Sequence, residues 1–340
     1  MGPKNNKVKL VSILKGIAII GVLGIHFYGN MGKVFGSFYG QIPVFLRFSV
    51  PVFFLVSGYL IDKKYSGKIS DKKTIIKFYK RRFGKILIPY FLFTLIYLAY
   101  SYSSFSSPSH YIGNFNLIMS IKLMLISLPT GFLFSHLYFV PAILSFYLTY
   151  PLILKINNKI GKVPSIFIFF LVYFLSEFIF IRYFNIDSPR WLFFHWIPYF
   201  SMGIFLNGRE QSLQIKKKSI MAISIVIFLI SIYFGNQTSL FYVYSLLTLV
   251  VGLSYLISTS KILWLKKSLS HLGDNSYSVY LSHMLITDLI YFSWLDSDSV
   301  PVIGGFPLFI LVILASLVIG RLVFRLIGII ESTVLGKVLK

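Results

Sequence analysis

Two ionisable side chains interrupt the first apolar run of the chain, Lys15 near its start and His26 near its end. They are eleven residues apart, and eleven steps of about 100° return to within about 20° of the same helix face. That spacing separates them by about 16 Å along a helix axis. A cation inside such a run is a candidate for binding a ligand, and an imidazole is a candidate proton acceptor. Alternatively, the two side chains extend to the two membrane interfaces.

Later apolar runs also contain ionisable residues, namely His136, Glu177 and His283. Ser276, Tyr280 and His283 follow the i, i+4, i+7 spacing of one helix face, and the preceding Gly273–Ser276 segment predicts a helix N-cap. A single histidine inside a membrane span is most often a hydrogen-bonded structural residue. Three in one helical bundle favour a functional site.

A metal site built from His26, His136 and His283 is one chemical alternative. The three residues come from separate apolar runs, and no pair of them has the local spacing of metal ligands. Proton transfer is therefore favoured over zinc, and no metal is expected.

A basic cluster precedes the third apolar run, where Lys80 to Tyr90 reads KRRFGKILIPY. Its cations Lys80, Arg81, Arg82 and Lys85 suit a phosphorylated ligand, and they suit anionic lipid head groups equally well. The second run contains the pair Ser57-Gly58, which permits close approach of a ligand or of another helix. Taken alone, this pair is more typical of helix packing.

The composition predicts the elements that position these residues. Of 340 residues, 56% are hydrophobic and only 13% are charged, with a mean hydropathy of +0.78. The apolar runs have the length of membrane spans, which predicts an all-α polytopic membrane protein with a single domain over residues 1–340. Ten spans are predicted near residues 9–28, 42–62, 85–104, 134–154, 163–183, 190–207, 218–235, 238–258, 275–294 and 306–328. Residues 116–128 are shorter and favour an interfacial or re-entrant helix.

The positions of the lysines and arginines predict the orientation of the chain. With both termini in the cytoplasm, 28 of the 33 basic residues lie on the inner side, and only Lys33, Arg47, Lys122, Arg182 and Arg190 lie on the outer side. The net charge of +23 does not indicate nucleic-acid binding, because these residues alternate with apolar runs. The basic, then apolar N-terminus lacks a small-residue cleavage site and is interpreted as a retained first span. The absence of cysteine excludes disulfides and thiolate nucleophiles.

Six motifs in order give the sequence a family resemblance. They are Lys15-Gly16 with His26, the FFLVSGY run at Phe53–Tyr59, the Arg81-Arg82 pair with its ILIPY turn, HLYF at His136–Phe139, FSMG at Phe200–Gly203, and GDNSYSVYLSH at Gly273–His283. In these motifs the sequence resembles the membrane acyltransferase family 3, which includes bacterial polysaccharide O-acetyltransferases. Lys85 stands where the family has an arginine, Ile88 where it has a proline, and Tyr138 where it has tryptophan.

The resemblance implies a set of roles for the residues described above. An acyl-CoA donor, with acetyl-CoA expected, enters from the cytoplasm. Its binding residues are Lys15, Ser57, Arg81, Arg82 and Lys85. His26 acts either as general base towards an acceptor hydroxyl or as a transient acyl carrier. His136 or Glu177 orients the His26 imidazole, although Glu177 has Arg182 as an alternative partner. Tyr280 and His283 bind the acceptor.

The expected acceptor is a cell-surface or exported polysaccharide, or a lipid-linked saccharide. The expected location is the bacterial plasma membrane, among membrane lipids and with a glycan synthase as a further partner. Alternative interpretations are a polysaccharide exporter or flippase, a structural partner of a glycan synthase, and an O-succinyltransferase. No inverted repeat supports the transporter interpretation, and acetyl incorporation into glycan discriminates among an acetyltransferase, an exporter and a structural partner.

Overall fold

Helices account for all the regular structure in a computed structural model, which describes residues 3–35, 37–69, 71–102, 136–184, 192–209, 217–234, 240–290 and 305–330. No strand occurs within these ranges, and the predicted all-helical fold is confirmed. The helices are α1 (Pro3–Phe35), α2 (Ser37–Phe45), α3 (Ser49–Tyr65), α4 (Lys72–Tyr102), α5 (Phe139–Ile160), α6 (Lys162–Phe184), α7 (Phe193–Leu206), α8 (Lys217–Tyr233), α9 (Leu240–Thr259), α10 (Leu263–Asp274), α11 (Ser276–Ile290) and α12 (Gly305–Ile330).

Seven described segments are long and apolar enough to cross a membrane: Leu10–Asn30, Phe38–Tyr65, Lys72–Tyr100, Phe139–Ile160, Lys162–Phe184, Leu240–Thr259 and Gly305–Ile329. Each overlaps a predicted span. The helices at the predicted sixth and seventh spans, Phe193–Leu206 and Ser219–Tyr233, are apolar but shorter. The helix at the ninth, α11, has 15 residues, and the predicted helix at 116–128 lies outside the described residues. The chain is therefore a polytopic helical membrane protein, while the count of ten spans and the cytoplasmic termini stay predictions.

The predicted second span consists of two helices, α2 and α3, joined by a turn at residues 46–48. In this turn the amide of Arg47 bonds to the carbonyl of Val44, and the amide of Ser49 bonds to that of Leu46. Pro51 falls in the first turn of α3. An N–H group at this position would have no acceptor within the helix, so its absence in proline costs no hydrogen bond. The sequence thus restarts the helix just before this proline.

Two features outside the apolar runs set helix positions. Asp71 caps α4, because its Oδ1 accepts the amide of Thr74 at 2.7 Å. This hydrogen bond holds the pKa of the Asp71 carboxyl below its usual value.

The second feature is α10, a short helix that was not predicted. It connects α9 with α11 and exposes Leu263 and Trp264.

The chain forms two compact units, and their boundary falls within α3. Unit 1 comprises the described parts of Met1–Phe53 and Arg209–Lys340, and unit 2 comprises those of Phe54–Gly208. Each unit has its own buried apolar and aromatic side chains.

Unit 1 is built around α1, which packs against α2, α9, α10, α11 and α12. Glycines bring α1 and α10 to backbone contact. A Cβ atom on Gly16 would lie 2.1 Å from the carbonyl oxygen of Leu269, and one on Gly273 would lie 1.8 Å from that of Ser12. The Ser12 hydroxyl also donates to the Asp274 carboxylate at 2.6 Å. Asp274 is the last residue of α10, so this hydrogen bond connects α10 with α1. Asp274 falls in the segment predicted as the N-cap of the next helix, but its carboxylate binds Ser12.

Unit 2 contains a similar glycine contact between α3 and α7. A Cβ atom on Gly58 would lie 2.1 Å from the carbonyl oxygen of Phe200, and one on Gly203 would lie 2.0 Å from that of Leu55. Both glycines belong to the motifs identified in the sequence. Gly58 therefore serves helix packing, which is one of the two roles considered for the Ser57-Gly58 pair.

A fully buried carboxylate, Asp62, joins four helices of unit 2. Its Oδ2 accepts hydrogen bonds from Lys162 Nζ at 2.6 Å and from Asn207 Nδ2 at 2.8 Å, and its Oδ1 accepts the Tyr150 hydroxyl at 3.3 Å. Lys162 Nζ also donates to the carbonyls of Ile204 and Asn207, at 3.0 and 3.2 Å. The lysine therefore neutralises Asp62 and satisfies carbonyl groups at the end of α7 that have no helical partner.

Candidate active site

Two of the predicted site histidines meet in unit 1. The rings of His26 on α1 and His283 on α11 have their centroids 5.2 Å apart, at an interplanar angle of 51°. The Tyr280 ring lies 5.9 Å from that of His283. His283 is fully buried, whereas His26 is partly exposed. The sequence prediction that these residues contribute to one site is consistent with this geometry.

The hydrogen bond of His283 determines which of its nitrogens carries the proton. Its Nδ1 lies 2.6 Å from the backbone carbonyl oxygen of Tyr280. A carbonyl oxygen can only accept, so Nδ1 carries the hydrogen and donates it. In a neutral ring the lone pair then resides on Nε2, which is the nitrogen able to accept a proton or a hydrogen bond.

Close packing of α11 against α12 fixes the position of His283. A Cβ atom on Gly320 would lie 2.6 Å from the carbonyl oxygen of Ser278. One residue before His283, the Ser282 hydroxyl donates to the carbonyl of Ser316 at 3.0 Å. These contacts leave the helix backbone beside His283 little freedom to move.

Lys15 lies on the same helix as His26, one turn beyond Ser12. The carboxylate that accepts the Ser12 hydroxyl, Asp274, also stabilises the Lys15 ammonium electrostatically. The N-terminal half of α1 thus carries the Lys15 cation with a partial counter-ion, and its C-terminal half carries the His26 imidazole.

The basic cluster lies on α4 in unit 2. Arg81 and Lys85 are exposed. Arg82 is partly buried, and its guanidinium carbon lies 5.2 Å from the Tyr65 ring centre and 5.4 Å from that of Tyr147. These rings stabilise the cation. The Arg82 Nε is buried and has no hydrogen-bond acceptor among the described residues.

The remaining predicted residues also fall in unit 2. Ser57 is partly buried, next to the glycine contact of α3. His136 is buried in a turn before α5, with its ring 5.3 Å from that of Tyr97 in an edge-to-face arrangement. The role predicted for His136, orienting His26, stays a prediction.

Glu177 has a partner that the sequence analysis missed. Its Oε1 lies 2.6 Å from Nδ1 of His195 on α7, so His195 takes the place that was considered for Arg182. His195 lies within a predicted span, and the cost of an ionisable group there was the signal that could have found it. The sequence did not indicate that His195 pairs with Glu177, because the contact joins two different helices.

The fold and the site define an all-helical, multi-span membrane protein with a paired imidazole site. A family model described as an acyltransferase domain matches residues 10–323. The chain belongs to this membrane acyltransferase family, and the membership predicted from the motifs is confirmed. Searches of curated proteins and of solved structures each returned no match.

Proposed function

We propose that this membrane acyltransferase moves an acyl group, with acetyl as the expected one, from acyl-CoA to a hydroxyl of an exported or cell-surface glycan. The observation that carries this proposal is the contact of the His26 and His283 rings, 5.2 Å apart inside unit 1. Two imidazoles placed side by side among apolar helices are costly to bury, which favours a functional site.

The proposed reaction uses His26 as the base. Its imidazole takes the proton of the acceptor hydroxyl, and the hydroxyl oxygen attacks the thioester carbonyl. The carbon–sulfur bond then breaks, and the CoA thiolate leaves and takes up the proton. In the alternative route, a nitrogen of His26 first attacks the carbonyl, the carbon–sulfur bond breaks, and the CoA thiolate leaves. The hydroxyl then attacks the acyl-imidazole, the carbon–nitrogen bond breaks, and the thiolate takes up the hydroxyl proton. In either route, His283 Nε2 is a hydrogen-bond acceptor that orients His26 or the acceptor hydroxyl, and Tyr280 lies beside it.

The basic cluster of α4 supports the proposed donor. Arg81 and Lys85 present exposed charges, and Arg82 carries a buried Nε–H without an acceptor in the described part of the chain. Phosphate oxygens of a CoA molecule would satisfy such donors through charge-assisted hydrogen bonds. Ser57, on α3 of the same unit, is a proposed hydroxyl donor to this site, and the donor-binding role expected of Lys15 stays a prediction.

The proposed location of the enzyme is the bacterial plasma membrane, and it is proposed to use acyl-CoA from the cytoplasmic side. The acceptor is a polysaccharide or a lipid-linked saccharide, and a glycan synthase is a proposed partner. No metal participates in the proposed reaction.

Membrane vesicles containing the protein test the proposal when they receive acetyl-CoA labelled in its acetyl group. The expected result is alkali-labile label in the glycan fraction, since an O-acetyl ester is hydrolysed by base. Vesicles without the protein supply the background. A polysaccharide exporter would move glycan without esterifying it, so glycan export with no ester label would contradict the proposal.

A further inference from the structure

We propose that Glu177 and His195 form a second binding site, in unit 2, for hydroxyl groups of the glycan acceptor. This inference rests on the proposed function, because it takes the acceptor to be a polyhydroxyl compound. It adds a substrate-binding role for His195 and replaces the orienting role predicted for Glu177.

The two side chains form a close pair that is not sealed from its surroundings. Glu177 Oε1 and His195 Nδ1 are 2.6 Å apart, and the side chains are 15% and 17% exposed. Both lie within apolar helices, α6 and α7, where ionisable groups are costly. A hydrophobic pair would usually hold two helices together as well as or better than a buried ion pair does. The presence of a polar pair at this position therefore favours a ligand.

The second ring nitrogen of His195 is available to such a ligand. Nε2 makes no hydrogen bond to the part of the chain that the structure describes. When Glu177 is ionised and the ring is neutral, Nδ1 donates to the carboxylate and Nε2 is an acceptor. When the pair holds one more proton, Nε2 carries a hydrogen and is a donor.

A hydroxyl group suits both protonation states, because it donates and accepts hydrogen bonds. An anionic ligand does not, because the negative charge of the singly protonated pair would repel it. The negative charge of the pair with a neutral ring therefore favours a sugar hydroxyl over a phosphate or a carboxylate.

Two aromatic residues lie beside the pair, of which Tyr173 is partly exposed and Trp196 is buried. Trp196 meets the His195 ring edge-to-face at 4.7 Å, and Tyr173 lies 6.1 Å from it. Trp196 in turn stacks on Tyr138 at 6.0 Å and on Phe54 at 4.9 Å, with interplanar angles of 15° and 14°. Small-molecule sites commonly combine aromatic walls with a few placed polar groups. In the predicted topology, Glu177 lies in the outer third of its span, on the side from which an exported glycan arrives.

The test uses purified full-length protein, acetyl-CoA, and envelope glycan extracted from cells that lack this protein. The variants are Glu177→Gln, His195→Gln and the double substitution. Ser176→Ala is the matched control, because its hydroxyl donates only to the Tyr173 carbonyl of its own helix at 2.8 Å. The half-saturating glycan concentration, the KM for acetyl-CoA, the maximal rate and the thermal unfolding transition are measured for each.

Both single variants are expected to raise the half-saturating glycan concentration about tenfold or more, which is the effect of losing one charge-assisted hydrogen bond. The double variant should resemble the singles, because the pair binds as a unit. The KM for acetyl-CoA, the maximal rate and the unfolding transition should stay within the range of Ser176→Ala. A substantial loss of maximal rate would mean that the pair is catalytic, not a binding site.

Three further results would overturn the inference. The first is an unchanged half-saturating glycan concentration in both single variants, and the second is the loss of the unfolding transition in both, which would make the pair structural. If only one variant fails to fold, the other decides between these outcomes. The third is a wild-type protein that esterifies no glycan. That result identifies a failure of the proposed function itself, because it appears without any substitution.

Discussion

The Nδ1 atom of His283 donates a hydrogen bond to the carbonyl oxygen of Tyr280, one turn earlier in the same helix, at 2.6 Å. This contact holds the ring and assigns the lone pair to Nε2, while the ring centroid lies 5.2 Å from that of His26. A structural role and a chemical role of His283 thus depend on different nitrogens, and substitutions can separate them.

The first prediction concerns His283. In His283→Asn, the amide nitrogen can replace Nδ1 as donor to Tyr280, but nothing replaces Nε2. We expect a stable protein whose transfer rate is lowered about tenfold to a hundredfold, the cost of one lost hydrogen bond to a reacting or charged group. Thermal unfolding and initial rates are measured on the same purified sample. A wild-type rate in His283→Asn would show that Nε2 has no part in the reaction.

A second prediction concerns the donor site. Arg82→Lys keeps the charge but loses the planar group that lies near Tyr65 and Tyr147, together with its Nε–H. The KM for acyl-CoA is expected to rise about tenfold to a hundredfold, because a charge-assisted contact is lost. Lys80→Met, which removes an exposed charge from the same helix, is the control for general electrostatic attraction. Equal KM values for Arg82→Lys and the wild type would assign Arg82 to packing alone.

The third prediction concerns the buried ion pair of unit 2. Lys162→Met leaves Asp62 buried without its cation, which typically costs about 3–5 kcal/mol. The double substitution Asp62→Leu with Lys162→Met should be less destabilised than Lys162→Met alone, since it leaves no uncompensated charge. Lys159→Met, an exposed position at the end of α5, should change stability little. A Lys162→Met protein as stable as Lys159→Met would show that the pair contributes nothing to the fold.

A fourth prediction compares two glycines. Gly16→Ala would place a Cβ atom 2.1 Å from the Leu269 carbonyl oxygen and should force α10 away from α1. At Gly84, within α4, an added Cβ meets no atom within 4 Å, so Gly84→Ala should stabilise the helix by up to about 1 kcal/mol. Thermal unfolding in detergent distinguishes the two. If both substitutions had the same effect, the described contact between α1 and α10 would be wrong.

The sequence predicted the helical fold because apolar runs of span length are local features. It also predicted that Lys15 and His26 lie on one helix and that Tyr280 lies beside His283, since both follow from helical periodicity. It did not predict the Glu177–His195 pair or the binding of Asp274 to Ser12. Those contacts join different helices, and helix periodicity does not specify how two helices pack. The turn at residues 46–48 was missed because hydropathy does not show where one helix ends and the next begins within an apolar run. The short helix α10 was missed because it is an amphipathic connecting helix and not an apolar run.

Replacement of His26 tests the central claim most directly. Cells that lack the protein are complemented with equal amounts of wild type, His26→Ala, or the control His271→Ala. His271 is an exposed histidine of α10 that contacts Arg321. The readout is the ester-linked acetyl content of the surface glycan. We expect His26→Ala to lower transfer by about 10²–10⁴-fold, the usual contribution of a general base, while His271→Ala stays near wild type. Near-normal acetylation in His26→Ala cells would contradict a catalytic role for His26.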